Sequence, residues 1–234
     1  MSSDVPTAWQ SMKSSSKPDR AKAYLKLYNG LQMIGWISAC IITLVAIWTG
    51  QSIWDLAGFT VQVCQAAAFL EVIHAATGIV RGSPATAFLQ WFGRSNVLFG
   101  ILLYTPEVQQ DLGVTLIFVA WSLAEAVRYP WYLSMLLGTP SEWLTWLRYS
   151  CFIPLYPLGI TGEALVTVKA LPHIQRRSVH STHLPNRANF AFDYYWFCLI
   201  GVSTIMPAAF VTLYLYMLRQ RRKRLHPRPE AKRD

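Results

Sequence analysis

Apolar residues occur along this chain in six long stretches, which short polar connections separate. The stretches cover roughly residues 28–48, 58–80, 86–104, 113–137, 143–170 and 190–218. A bilayer core about 30 Å thick needs about 20 mostly apolar residues per helix. The pattern therefore predicts an all-α integral membrane bundle with about six transmembrane helices.

Composition agrees with a membrane protein. Hydrophobic residues make up 53% of the chain and charged residues only 14%, whereas soluble domains are about 25% charged. The formal net charge of +9 lies at the two ends, in residues 1–26 and 219–234. A nucleic-acid-binding protein more often spreads Lys and Arg over a folded face, so we expect no nucleic-acid partner. A neutral apolar body with basic ends is typical of an integral membrane protein.

The charges of the connections predict a topology. We interpret residues 1–27 as a mobile N-terminal tail, 28–218 as one six-span domain, and 219–234 as a basic C-terminal tail. Positive charge is enriched on the cytosolic side of membrane proteins, which places both termini and the 81–95 connection in the cytosol. The connections 50–57 and 105–112 are acidic and face the other side. The connection 172–189 is basic and does not fit this scheme.

Ionisable side chains inside the spans are functional candidates, because charge at membrane depth is costly. Glu71 and His74 lie three residues apart in the second span, and Glu125 and Arg128 lie three apart in the fourth, next to Tyr129. Each pair shares a helix face. Either pair is a hydrogen-bonded contact that holds the bundle together or a part of a functional site.

The fifth span combines helix-breaking residues with reactive ones. Its middle contains Pro154, Pro157, Gly159 and Gly162. Irregular backbone at membrane depth is tolerated only where it is buried in protein or lines a cavity, so we expect a broken helix beside a pocket. Tyr156 and Glu163 are seven residues apart, hence on one side of an ideal helix and roughly 10 Å apart along its axis. A phenol and a carboxylate can act as an acid/base pair.

Other chemistries have less support. The four cysteines, Cys40, Cys64, Cys151 and Cys198, lie in apolar stretches without zinc-site spacing, which indicates buried side chains and no metal site. Cys151 begins a stretch of the length of a tyrosine-phosphatase loop, but Pro157 stands where that loop needs its arginine. Without the guanidinium no phosphate is bound in such a loop, so phosphatase chemistry is excluded.

Four motifs occur in a fixed order along the chain. They are YLKLYN at 24–29, LEVIH at 70–74, WSLAEAVRY at 121–129, and LRY, LYPLG and Glu163 within 147–163. In these motifs the chain resembles the very-long-chain (3R)-3-hydroxyacyl-CoA dehydratases, also called protein-tyrosine-phosphatase-like proteins. The resemblance covers about residues 24–218.

The resemblance implies a multi-pass enzyme of the endoplasmic reticulum membrane with both termini cytosolic. Such an enzyme performs the third step of fatty-acid elongation, removing water from a (3R)-3-hydroxyacyl-CoA to give a trans-2-enoyl-CoA. The family's catalytic pair corresponds to Tyr156 and Glu163. Supporting residues are expected at Arg148, Gly159, Arg128, Tyr129, Glu71 and His74.

The resemblance also implies the partners. These are an acyl-CoA substrate, the lipid bilayer, and the condensing enzyme, ketoacyl reductase and enoyl reductase of the elongation cycle. No cofactor is expected beyond the CoA of the substrate.

Two other classes of function remain open at this point. A small transporter would use the same intramembrane Glu and His, but it should show a repeated half, and the sequence has no such repeat. A catalytically silent scaffold of the elongation enzymes would keep the fold and tolerate loss of Tyr156 or Glu163.

Overall fold

The computed structural model describes residues 19–187 and 189–225, and these ranges are helical with no β-strand. Within them, the α-helices are α1 (Asp19–Thr49), α2 (Ile53–Ala67), α3 (Phe69–Ala76), α4 (Pro84–Ser95), α5 (Leu112–Leu137), α6 (Glu142–Arg148), α7 (Phe152–Arg177), α8 (Tyr194–Ile200) and α9 (Met206–Leu225). A π-helical segment, Asn96–Leu102, continues α4, and a second, Gly201–Ile205, joins α8 to α9. Pro106–Val108 forms a short 3₁₀ turn.

Five helical segments are long and apolar enough to cross a membrane. They are Asp19–Thr49, Ile53–Ala76, Leu112–Leu137, Glu142–Arg177 and Tyr194–Leu225. The remaining predicted stretch, 86–104, corresponds to α4 and its π-helical continuation. The predicted all-α, multi-pass membrane bundle is confirmed.

The outer helices are longer than the apolar stretches predicted. Residues 19–27 already belong to α1 and residues 219–225 still belong to α9, although both had been assigned to the tails. The remainder of the two predicted tails, residues 1–18 and 226–234, lies outside the described residues.

Helix α5 is the centre of the bundle. It packs mainly against α1 on one side and α7 on the other, with further contacts to α2 and α6. Its inward residues, among them Ile117, Phe118 and Trp121, are almost completely buried. By contrast, α9 has no fully buried residue and lies at the edge of the bundle.

The prediction that the fifth span breaks in its middle is wrong. Helix α7 runs without interruption from Phe152 to Arg177, and the break comes earlier, at residues 149–151. Pro154 lies in the first turn of α7, where the backbone amides have no acceptor within the helix. Pro157 stands inside the helix and removes only its own donor.

The glycines of α7 allow two helices to approach closely. A Cβ on Gly162 would lie 2.8 Å from the Gly113 carbonyl oxygen, and one on Gly113 would lie 2.9 Å from the Gly162 oxygen. Small residues at such crossings are typical of packing in membranes, where van der Waals contact replaces the hydrophobic effect between helices. The crossing fixes the position of α7 along the axis of α5.

Hydrogen bonds between elements define two ends of the bundle. At the first end, the Tyr24 hydroxyl bonds His74 at 2.8 Å and Arg221 donates to Ser150 at 3.2 Å. At the second end, Gln110 donates to Ser52 at 2.5 Å. Near the end of α5, Arg128 donates to Glu71 of α3 and Trp131 donates to Thr145 of α6. Helix α1 therefore begins, and α9 ends, at the same end of the bundle.

Acidic partners explain the basic connection 172–189 that does not fit the charge scheme. Arg177 forms a salt bridge with Glu107, and Lys169 forms one with Asp111. The pKa of Glu107 is lowered by its own backbone amide and by Arg177. Partial burial raises the pKa of Asp111, but hydrogen bonds from Lys169 and from the Gly113 amide outweigh it, and the net pKa is lowered. At the second end, Glu107 therefore offsets part of the positive charge of this connection.

Candidate active site

Tyr156 lies in the second turn of α7 and faces α9. Its ring stacks on Phe210 and Tyr214, with centroid distances of 5.4 and 6.2 Å and interplanar angles of 16° and 7°. The Tyr214 hydroxyl donates to the Ile153 carbonyl at 3.3 Å. The aromatic stack holds the phenol ring in one plane while the hydroxyl remains available.

Glu163 follows the glycine crossing directly and faces α5. Its Oε1 accepts a hydrogen bond from the indole Nε1 of Trp121 at 3.1 Å. Trp121 is only 2% exposed, so a fixed donor orients one carboxylate oxygen. No hydrogen bond joins Glu163 to Tyr156 within the described residues.

A network of ion pairs lies next to this site. Arg128 binds both carboxylate oxygens of Glu71, at 2.8 and 2.9 Å, and its Nε donates to Glu125. The Tyr129 hydroxyl donates to Glu71 at 2.6 Å. Arg94 donates to Glu125 at 2.5 Å. Glu125 and Arg128 do form a hydrogen-bonded ion pair, and the network around them joins α3, α4 and α5.

Glu71 and His74 hold α3 in place through different neighbours. Glu71 binds α5, whereas His74 bonds the Tyr24 hydroxyl of α1. The His74 ring also lies edge-on against Tyr24 and Tyr28, with centroid distances of 5.3 and 5.0 Å. Tyr28 in turn donates to Glu71 at 3.3 Å. These residues dock α1, α3 and α5 together.

The other two predicted supporting residues are less informative. A Cβ on Gly159 would lie 3.4 Å from the Ala120 Cβ, so this glycine is a second point of contact between α7 and α5. Arg148 is the last residue of α6 and is half-buried. Nothing in the structure explains what its guanidinium does.

The described ranges contain a cavity but no cluster of metal ligands. No group of three or more His, Cys, Asp or Glu side chains in residues 19–187 and 189–225 could hold a metal ion. A cavity of about 340 Å³ lies at the second end of the bundle, between the α1–α2 connection and the start of α5. Its lining includes Gln51, Gln110 and Asp111, and it is separate from Tyr156 and Glu163.

Comparison with known proteins decides the family. Residues 65–227 match the family described as protein tyrosine phosphatase-like protein, PTPLA. The chain belongs to this family. The PTPLA match agrees with the resemblance predicted from the four motifs. No solved structure is significantly similar to the chain.

Relatives within the PTPLA family have informative names. The very-long-chain (3R)-3-hydroxyacyl-CoA dehydratase PASTICCINO 2 of Arabidopsis thaliana is 36% identical over 87% of this chain and 93% of its own length. The dehydratase hpo-8 of Caenorhabditis elegans is 34% identical over 86% of this chain and 94% of its own. The human dehydratase 2 is 34% identical over 91% of this chain and 84% of its own length. Dehydratases of this kind are hydro-lyases of fatty-acid elongation.

The PTPLA description does not imply phosphatase chemistry in this chain. Cys151 is the N-cap residue of α7, and Pro157 lies inside that helix. A phosphate-binding loop needs backbone amides turned toward the anion and an arginine that closes over it. A continuous helix with proline at residue 157 provides neither.

Sequence reasoning missed two residues around Glu163. Trp121 appeared only as part of a motif, and Arg94 was assigned to the 81–95 connection. The structure places Arg94 in the last turn of α4. The spacing of Trp121 and Glu125, four residues on one face of α5, was the signal that could have indicated that both point to the same place.

Proposed function

We propose that this chain removes water from a very-long-chain (3R)-3-hydroxyacyl-CoA to give a trans-2-enoyl-CoA, as the names of its relatives state for them. The reaction would take place at Tyr156 and Glu163. The observation that carries this assignment is their arrangement on one continuous helix. A buried indole fixes the carboxylate, and an aromatic stack fixes the phenol.

Dehydration needs a base for the C2 proton, an acid for the departing 3-hydroxyl and stabilisation of the thioester oxygen. Glu163 takes the C2 proton in this proposal, because Trp121 binds Oε1 and leaves Oε2 for the substrate. Tyr156 gives its proton to the leaving hydroxyl. The thioester acidifies C2, so the chemistry requires no metal or redox cofactor.

The two ends of the bundle suggest how the substrate lies. The acyl chain would lie among the apolar helices, and the phosphates of CoA would meet basic residues at the first end. There α9 ends in the run Arg219, Arg221, Arg222, Lys223 and Arg224. We propose that this end faces the cytosol at the endoplasmic reticulum. The condensing enzyme and the ketoacyl reductase would supply the substrate, and the enoyl reductase would consume the product.

The test uses the full chain purified in detergent and a long-chain (3R)-3-hydroxyacyl-CoA. Tyr156→Phe and Glu163→Gln should each lower kcat by about 10²–10⁴-fold, the range that positioned acids and bases contribute. Tyr216→Phe removes an exposed hydroxyl of α9 outside the aromatic stack, and Glu142→Gln changes an exposed carboxylate. Both controls should retain wild-type turnover.

Exchange of the C2 hydrogen in D₂O separates the two roles. Tyr156→Phe should still exchange C2–H, because the base is intact, whereas Glu163→Gln should not. Exchange lost only in Tyr156→Phe would reverse the roles. Wild-type turnover in both variants at equal protein level would overturn the site assignment, and an inactive wild type would favour a silent scaffold.

A further inference from the structure

Arg94 lies where an α-helix changes into a π-helix inside the bundle. It lies in the last turn of α4, directly before the π-helical segment Asn96–Leu102. Such π turns occur mostly as local features of helices and frequently at functional sites. The proposed mechanism assigns no group to the thioester oxygen, and Arg94 is the candidate that the structure provides.

Helix α2 holds the turn that carries Arg94. The Gln65 amide donates to the Trp91 carbonyl at 3.3 Å and to the Ser95 hydroxyl at 3.1 Å. The Trp91 indole donates back to the Gln65 carbonyl at 3.0 Å. These bonds lie on both sides of Arg94 along α4, so the turn that carries its side chain is held in place before any substrate binds.

The guanidinium approaches Glu163 through Trp121. Its Nη1 donates to Glu125, and its Cζ lies 5.5 Å from the centroid of the Trp121 ring. The same indole donates to Glu163. The cation therefore lies against the indole that orients the Glu163 carboxylate.

Arg94 also has donors to spare, unlike its neighbour Arg128. Arg128 is used by Glu71, Glu125 and Tyr129, and its side chain is 20% exposed. Arg94 is 32% exposed, and within the described residues its hydrogen bond is the one to Glu125. A guanidinium has five N–H donors, so several can face a ligand.

We propose that Arg94 is a further catalytic residue, whose guanidinium donates hydrogen bonds to the thioester carbonyl oxygen of the acyl-CoA. This inference rests on the proposed function. The C2–H bond breaks, its proton goes to Glu163, and its electron pair moves onto the thioester oxygen as an enolate, which Arg94 stabilises. The enolate then collapses, C2=C3 forms and the C3–O bond breaks. The hydroxyl leaves as water with the proton of Tyr156.

A purely structural role for Arg94, to neutralise Glu125, makes a different prediction. Arg94→Gln alone removes both a donor and the partner of a buried carboxylate. Arg94→Gln with Glu125→Gln removes both charges of the pair, and Arg128 still balances Glu71. If Arg94 only neutralises Glu125, the double variant should recover activity. If Arg94 binds the thioester oxygen, the double variant should remain slow.

The experiment measures kcat and KM for a long-chain (3R)-3-hydroxyacyl-CoA, together with C2–H exchange in D₂O. Arg94→Gln should lower kcat by about 10²–10³-fold, the cost of one oxyanion donor, with a smaller change in KM and with loss of exchange. The double variant should be as slow. Arg94→Lys, which keeps a cation beside Glu125, should fold and turn over at an intermediate rate, because an ammonium does not reproduce the planar donor set.

Arg177→Gln is the matched control, because it breaks an arginine–glutamate pair at the second end and should leave turnover unchanged. Recovery of the double variant to within about threefold of wild type, or a wild-type rate for Arg94→Gln, would overturn the inference. Turnover by the wild type and its loss in Glu163→Gln test the proposed function separately, so the two failures can be told apart.

Discussion

Replacing Gly162 by alanine tests whether the helix crossing positions Glu163, the proposed catalytic carboxylate. A Cβ at this position lies 2.7 Å from the Ile117 Cγ2 and 2.8 Å from the Gly113 carbonyl oxygen. The isoleucine methyl can rotate away, but the oxygen belongs to the backbone of α5. Ordinary contact needs about 3.4 Å, so α7 must move outward by about 0.6 Å.

The displacement reaches the site at once, because Glu163 is the next residue. Its 3.1 Å hydrogen bond to Trp121 would lengthen to about 3.7 Å, beyond the range of a hydrogen bond. A misplacement of about 1 Å can cost about 10²-fold in rate, so we expect kcat to fall about 10-fold for Gly162→Ala. Overpacking lowers the free energy of unfolding by about 1–3 kcal/mol. The higher helix propensity of alanine offsets up to about 1 kcal/mol of this loss.

The assay combines enoyl-CoA formation with thermal unfolding of the purified protein in detergent. Gly30→Ala is the matched control, because Gly30 lies inside α1 and has no neighbour within 4 Å of an added Cβ. The control should keep wild-type turnover and gain slightly in stability. A Gly162→Ala protein with the turnover and unfolding temperature of the wild type would refute the reasoning about the crossing.

Two further predictions concern charges away from the reacting atoms. Glu71→Gln leaves Arg128 without its bidentate partner, and breaking such a pair costs about 3 kcal/mol. The unfolding temperature in detergent should then fall by about 6–12 °C, whereas an unchanged temperature would show that the network contributes little. Asp111 has a lowered pKa, so its stabilisation is present at neutral pH and lost as the pH falls through that pKa. The unfolding temperature of the wild type should therefore drop more than that of Asp111→Asn when the pH falls below about 4, and parallel pH profiles would contradict this.

The spans could be predicted from the sequence because their length is a direct consequence of bilayer thickness. The stretch predicted at 113–137 is α5, Leu112–Leu137. The stretch predicted at 86–104 is helical but changes from α to π turns after Ser95. Apolar composition indicates that a segment can lie in the membrane, but it does not distinguish turns that differ by one residue in their hydrogen bonding.

The shape of the fifth span could not be predicted, because its glycines have a meaning only beside another helix. Gly162 meets Gly113, which is 49 residues earlier in the chain. Helix propensity depends only on the residue itself, so the glycines and prolines of this stretch predict a break in the helix. In the folded bundle, the glycine is the place where two backbones touch, and Pro154 lies in a first turn that tolerates it.

The same limitation concerns charge. Arg177 does not fit the charge scheme as long as its partner, Glu107, is unknown. The positive-inside rule counts charged residues along the chain. The electrostatic free energy depends instead on ion pairs between segments that are far apart in the sequence. A basic connection on the wrong side costs little when an acidic connection lies against it.

The ion pairs also indicate which intramembrane carboxylate is able to exchange a proton. Arg94 and Arg128 balance Glu71 and Glu125, so these four residues form a neutral unit whose members are needed by one another. Glu163 stands outside these ion pairs and is held by a neutral indole. A carboxylate that is bound into an ion pair cannot exchange a proton without unbalancing its partner, whereas Glu163 can do so without breaking the network. The division of charges therefore supports the proposal that Glu163 is the carboxylate that changes protonation during catalysis.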